Sequence, residues 1–177
     1  YHSRPGDIIY CVLPLYNSGA WLTCILRALI TGIGCVVEQK FSAGRFMDRI
    51  KHFNATQTFA VGAMSIFLMN TPERDDDADN PLREACLAPI PPDKWQAFER
   101  RFDVRLLRSG MGQSECLLTL NQEHCDQSIK IPVYALGYPP PDADVRLFDD
   151  EGFEVPDGQP GEICVRPLAP HILFNGY

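Results

Sequence analysis

The spacing of apolar and polar positions changes period several times along the chain, and each change marks an element. Residues 7–15, DIIYCVLPL, are rich in Ile, Val and Tyr and predict a strand that Pro14 closes. Asn17-Ser18-Gly19 turns the chain. Residues 20–30, AWLTCILRALI, are apolar nearly all round, which predicts a buried helix. Gly32 and Gly34 punctuate, and GCVVEQ reads as a second short strand. Ser42 suits an N-cap for a helix over 45–53, where Phe46, Ile50 and Phe53 share a face. TQTFAV, 56–61, predicts a third strand. A helix over 63–70 gathers Met64, Phe67 and Leu68, and Pro72 follows it. Residues 82–87 lead into APIPP, a proline-rich turn. A helix over 92–102 places Trp95, Phe98 and Phe102 on one side, and 104–107 forms a fourth strand. Strands alternating with helices define an α/β architecture.

The last third changes character. From Pro132 onward prolines and glycines are dense. DVRLF (144–148) and EICVR (162–166) alternate polar and apolar, with DDEG and VPDGQPGE as turns, which predicts antiparallel β, part of a small barrel or open sheet. The chain therefore divides into an α/β core, 1–131, and an antiparallel β subdomain, 132–177. No internal repeat is present.

Composition narrows the function classes. Hydrophobic residues make up 45% and charged residues 22% of 177, an ordinary globular balance. The net charge of −7 argues against a broad nucleic-acid footprint, yet a local site can still take a phosphate-bearing ligand. Seven cysteines, an odd count without Cys-x-x-Cys, sit mostly in apolar runs and suit small buried hydrophobes in a reducing, cytoplasmic setting. Cys116, His124 and Cys125 come nearest to a zinc set, but their clustering fits loop or packing roles better. A run of three aspartates, Asp75 to Asp77, reads as a solvated loop. No signal peptide or transmembrane run is visible. The start at Tyr1 and the stop at FNGY suggest a piece of something longer.

The chemistry concentrates in SGMGQSE, 109–115, directly after the fourth strand. Ligands of parallel α/β sheets meet the carboxyl ends of strands. Gly110 and Gly112 let backbone approach a ligand closely. Ser114 offers a hydroxyl, and Glu115 offers oxygens to a hard cation such as magnesium. Such a set suits a metal-bound polyphosphate, although a plain glycine loop with a solvent-facing Glu has the same pattern. The segment is neither a dinucleotide fingerprint nor a lysine-bearing phosphate loop nor a nucleophile elbow.

Five stretches, in order, resemble the adenylate-forming acyl-CoA synthetases, AMP-binding ligases related to luciferases. These are LPLYNSGAW, FSAGRFMDRIKHFNATQTFAVGAMSIFLMNTP, CLAPIPPDKWQAFERRF, MGQSE and LGYPPPDADVRLFDDEGFEVPDGQPGEICVRPLAPHILFNGY. The resemblance implies an interior part of the large N-terminal domain of such an enzyme. It implies that Glu115 coordinates magnesium on ATP and that Ser114 meets the nucleotide phosphate. Met111 falls where an aromatic residue stacks on adenine, and Leu87, Ala88 and Pro89 on the segment lining the adenine pocket. Gly112 and Gln113 fall near the acyl carboxylate. Asn17 falls where the family commonly has histidine beside the acyl group, and Trp21, Val61, Gly62, Ala63 and Met64 fall on the acyl pocket. For Trp21 and Met64, core packing is an equal reading.

Three departures accompany the match. Ser114 replaces threonine and keeps the hydroxyl. Met111 loses a flat ring face but stays polarizable. Asn17 cannot titrate as histidine does. The family's upstream Ser/Thr/Gly-rich lysine loop, its ribose-binding aspartate and its mobile C-terminal domain have no counterpart here, and none of the four lysines matches their roles. The resemblance implies a ligase using ATP, Mg2+ and coenzyme A on a small carboxylic acid, in fatty acid metabolism, with the 177 residues alone inactive. A module loading a carrier protein, or a noncatalytic nucleotide- or partner-binding protein, shares the fold. The residues leave the acid and the oligomeric state open.

Overall fold

The computed structural model describes residues 2–122, 132 and 135–177. They form two compact units, Tyr1–Ser109 and Gly110–Tyr177. The composition shift at 131/132 lies at residues mostly outside those described.

The first unit is a five-stranded parallel sheet in the order β2-β1-β3-β4-β5, with β1 Ile8–Cys11, β2 Gly34–Val37, β3 Gln57–Val61, β4 Glu84–Ala88 and β5 Arg105–Leu107. Period-2 alternation sends β1 residues to both faces. Tyr10 and Val12 join a core with Phe46, Ile50, Leu68, Phe98 and Phe102 on one side. Ile9, Cys11 and Leu13 join Ala20, Cys24 and Ala28 on the other. Helices α2 (Phe46–Phe53), α3 (Gly62–Met69) and α4 (Pro92–Phe102) supply the first layer; the helix after β1 supplies the second. This is one of the two common doubly wound arrangements, and the winding reverses between β1 and β3.

Several elements end where residue chemistry requires. Gly32, Asn54 and Asp103 adopt left-handed backbone at the ends of α1 (Arg27–Thr31), α2 and α4. Gly has no Cβ penalty there, and Asn and Asp tolerate the region best among the rest. Pro92 opens α4 in the first turn, where its missing N–H costs nothing. Ser42 precedes the 3-10 turn Ala43–Arg45 without a side-chain cap bond.

The structure adds one strand and corrects three expectations. Residues 82–87, which lead into the proline-rich turn, hold most of β4, an interior strand of the sheet. Its first residue, Glu84, is a buried carboxylate whose partners, Gln57 and His2, are distant in sequence. The helix after β1 is not buried all round. Only its small face, Ala20, Cys24 and Ala28, lies against the sheet, while Trp21, Leu29 and Ile30 are 51%, 74% and 75% exposed. Small residues at i, i+4 and i+8 let the helix approach closely and leave the large side chains outside. In α3, Leu68 is buried but Phe67 is exposed. Asp77 is not solvated: it is 6% exposed and held by Arg101.

Residues Ala20–Leu26 of the same helix are π-helical. The Thr23 hydroxyl donates to the Gly19 carbonyl, the acceptor an α-helical amide at 23 would use. Such back-bonding competes with the regular ladder.

The second unit contains two antiparallel pairs among the described residues: β6 Met111–Gln113 with β7 Cys116–Leu120, and β8 Ala143–Phe148 with β9 Glu162–Pro167. The β8–β9 ladder matches the alternating segments in the sequence. An isolated bridge joins Asn121 and Tyr138.

Candidate functional site

The strand order reverses between β1 and β3, and the carboxyl edge of the sheet at that point is where doubly wound folds take ligands. Asn17 stands on the β1 side of it. Its Oδ1 accepts the Gly19 amide at 2.8 Å and its carbonyl accepts Ala20 N–H at 3.1 Å, so Asn17 caps the helix. A Cβ at Gly19 would lie 2.8 Å from the Phe59 ring on β3, which explains the glycine. Trp21 is anchored by its indole N–H to the Leu15 carbonyl at 2.7 Å, with the ring half in solvent.

On the β3 side, Val61 and Ala88 are register partners at the ends of β3 and β4. Gly62 opens α3, and a Cβ there would sit 3.0 Å from Pro89 Cδ. Thus Gly62 and Pro89 are brought together, as are Gly19 and Phe59. Met64 packs against both core layers, Ala63 is exposed, and Leu87 is buried in the core. Ala88 is half-buried, Pro89 is exposed, and a cis peptide bond joins them. Backbone and small side chains line this edge.

In the second unit, MGQSE folds as a hairpin rather than a loop. Gln113 pairs with Cys116, leaving Ser114 and Glu115 as a two-residue turn. Neither Gly110 nor Gly112 has a positive φ; a Cβ on either would collide with a β7 carbonyl, of Leu120 or Leu117. Close strand approach therefore demands the Gly-x-Gly. Gly112, Gln113 and Ser114 are exposed, and Met111 is half-buried.

Glu115 is tied to the segment 174–177. The Phe174 amide donates to its carbonyl at 3.0 Å, and the Tyr177 hydroxyl donates to Oε1 at 2.5 Å. That hydroxyl, first among the causes, holds the Glu115 carboxyl below the usual carboxylate range. Tyr177 is a residue that motif reading missed. It lies 62 positions from Glu115, beyond the reach of any local pattern.

Among the described residues no three His, Cys, Asp or Glu side chains gather as a metal cage. His124 and Cys125 lie outside them. Cys11, Cys24, Cys86 and Cys116 are buried free thiols, and burial pushes Cys86 up to about 11, the behaviour of an inert core thiol. Among the described residues no helix is long and apolar enough to cross a membrane.

A doubly wound parallel sheet, and a separate hairpin with a carboxylate on its turn, place the chain in the α/β class. The AMP-binding enzyme model matches residues 1–177, and the chain belongs to that family. It is 32% identical to long-chain fatty acid transport protein 1 of Bos taurus, over 100% of this chain and 29% of the relative. It is 30% identical to crotonobetaine/carnitine–CoA ligase of Proteus mirabilis (strain HI4320), over 98% of this chain and 33% of the relative. Its fold matches a benzoate CoA ligase from Burkholderia xenovorans LB400 with a TM-score of 0.75 at 20% identity, covering 97% of this chain and 35% of that one. The chain thus spans about a third of the length of these proteins.

Proposed function

We propose that the full-length protein is an AMP-forming acyl-CoA synthetase. A carboxylate attacks the α-phosphorus of ATP, giving acyl-adenylate and pyrophosphate, and the thiol of coenzyme A then takes the acyl group and releases AMP. Family membership along the whole chain carries this reading.

Glu115 and Ser114 serve the phosphates, with Glu115 holding magnesium. The donor set fits. Magnesium is commonly held by one or two carboxylates plus substrate phosphates, not by an all-protein cage. Glu115 is an anionic carboxylate on a turn, with no Lys or Arg paired to it among the described residues. Magnesium bound there would neutralise charge on the phosphates. Ser114 offers an exposed hydroxyl to a phosphate oxygen. By the family resemblance Met111 is assigned to adenine, as is the segment Leu87-Ala88-Pro89, and Gly112 and Gln113 are assigned to the carboxylate being activated. Asn17, Trp21, Val61, Gly62, Ala63 and Met64 form the acyl pocket. Asn17 holds a helix start rather than a proton, so its contribution is position. The largely apolar lining favours a hydrophobic acyl or aryl group. The names of two relatives, a fatty acid transport protein and a carnitine-type ligase, define the acids to try first.

The test is carboxylate-dependent exchange of labelled pyrophosphate into ATP by the full-length protein, with fatty, aryl and carnitine-like acids. Exchange with one class supports adenylation and names the pocket. No exchange with any acid, from folded protein with magnesium, overturns the reading. A Glu115→Gln change is expected to lower turnover on the order of 10–100-fold.

A further inference from the structure

We propose that Tyr177 is a positioning residue for Glu115: its hydroxyl holds one carboxylate oxygen so that the other faces the metal–nucleotide. The inference rests on the reading of Glu115 as the metal-holding carboxylate.

Three contacts carry it, all within the second unit. The Tyr177 hydroxyl lies 2.5 Å from Glu115 Oε1. The Phe174 amide donates to the Glu115 carbonyl at 3.0 Å. The Phe174 and Tyr177 rings meet edge to face with centroids 5.0 Å apart. The backbone bond ties the turn to this segment, the ring contact places the exposed phenol beside Phe174, and the phenol reaches the carboxylate.

Without that hydroxyl, Glu115 would be a three-torsion side chain on the tip of a two-residue turn. Its rotamers would interconvert freely, and binding would have to order them. Carboxylates that ligate metals are commonly held by a hydrogen bond of this kind, and its loss weakens metal affinity about 10–100-fold. A phenol is well suited. It donates one proton, carries no charge to compete with the metal, and stays protonated at neutral pH. Glu115 raises the Tyr177 pKa further above its ordinary value of 10.0.

The test compares full-length wild type, Tyr177→Phe and Glu115→Gln. Calorimetry, with no carboxylic acid present, measures binding of the ATP analogue AMP-PNP, once with Mg2+ and once in EDTA. Tyr177→Phe keeps the ring against Phe174 and removes only the donor. The expected result is a roughly tenfold weaker affinity for Mg2+–AMP-PNP, with metal-free affinity unchanged within about twofold. Equal weakening of both forms would mean that Tyr177 acts through the nucleotide or the fold, and would overturn the proposal. Wild-type affinity in Tyr177→Phe alongside weakened Mg2+ binding in Glu115→Gln would overturn the role of Tyr177 alone. Wild-type affinity in both variants would remove the metal role of Glu115, and the proposal with it.

Discussion

The two edges of the parallel sheet are built differently. Along the amino edge, where strands begin, polar side chains are buried and tied together. Glu84 accepts from the His2 amide at 3.0 Å and from Gln57 Nε2 at 3.2 Å. Asp7 accepts from Thr56 and from Arg83, each at 2.9 Å. In βαβ units the helices return the chain to this same edge. There Arg101 meets Asp77 at 2.7 Å with side chains 7% and 8% exposed, and also donates to Thr71 Oγ1 and the carbonyls of Met69 and Pro72. Along the carboxyl edge of the central strands stand Asn17, Gly19, Gly62, Ala63, Ala88 and Pro89. The charged pairs at this edge among the described residues, Glu38–Arg49 beyond β2 and Asp93–Lys94 at the start of α4, stand apart from these residues. The lesson is a division of labour. Paired buried charges resist separation at one edge, and short side chains stand at the other.

Three substitutions in the full-length protein would break or sharpen that contrast. The largest effect is expected from Arg101→Met. It leaves Asp77 buried without its partner, which costs about 3–5 kcal/mol. The urea unfolding transition should move accordingly while KM values stay near wild type. A changed KM with unchanged stability would erase the contrast. Next comes Gly62→Ala at the opposite edge. The new methyl would press on Pro89, which is exposed and can yield. On the proposed acyl pocket, KM for the preferred acid should change roughly tenfold, with the unfolding transition largely kept. A large stability loss with unchanged acid preference would place Gly62 in the framework instead.

The smallest effect is expected from Glu84→Gln, read as a pH dependence. Burial pushes the Glu84 carboxyl up, the hydrogen bonds from His2 and nearby positive charge pull it down, and the net effect is a lowering from 4.5. A depressed carboxylate contributes stability that is complete above its unfolded value and is lost as pH falls through the folded one. Wild type should therefore lose stability below about pH 4.5 more steeply than Glu84→Gln. Parallel curves for the two proteins would show that the buried carboxylate is neutral to folding.

How much of this was legible in the sequence depends on how local each cause is. Helix α4 was legible to the residue because its signals, Pro92 at the start and Phe98 and Phe102 one turn apart, are local. The strands around Ile9, Phe59 and Leu106 and the β8–β9 ladder were legible from composition and alternation. β4 was not, because a strand opening on a carboxylate makes sense only once Gln57 and His2 stand beside it. The β6–β7 hairpin was hidden by its glycines, which signal a loop until the carbonyls of Leu117 and Leu120 show why no side chain fits. For the site, the motif residues came from resemblance. The β1/β3 switch point required strand order, and Tyr177 required a contact across 62 residues.

The wide turn of the helix after β1 has a consequence for insertions and deletions. A π-helical turn accommodates one residue more than an α-helical turn for each hydrogen bond it closes. Deleting one residue within Ala20–Leu26 would let the segment close as a regular α-helix instead of breaking it. Because the wide turn already absorbs the extra residue, the cap at Asn17 and the buried Ala28 would keep nearly the same relative orientation. The same deletion in the regular part, Arg27–Thr31, would rotate the two ends by about 100°. This helix thus carries one surplus residue, and only there is a single deletion tolerable.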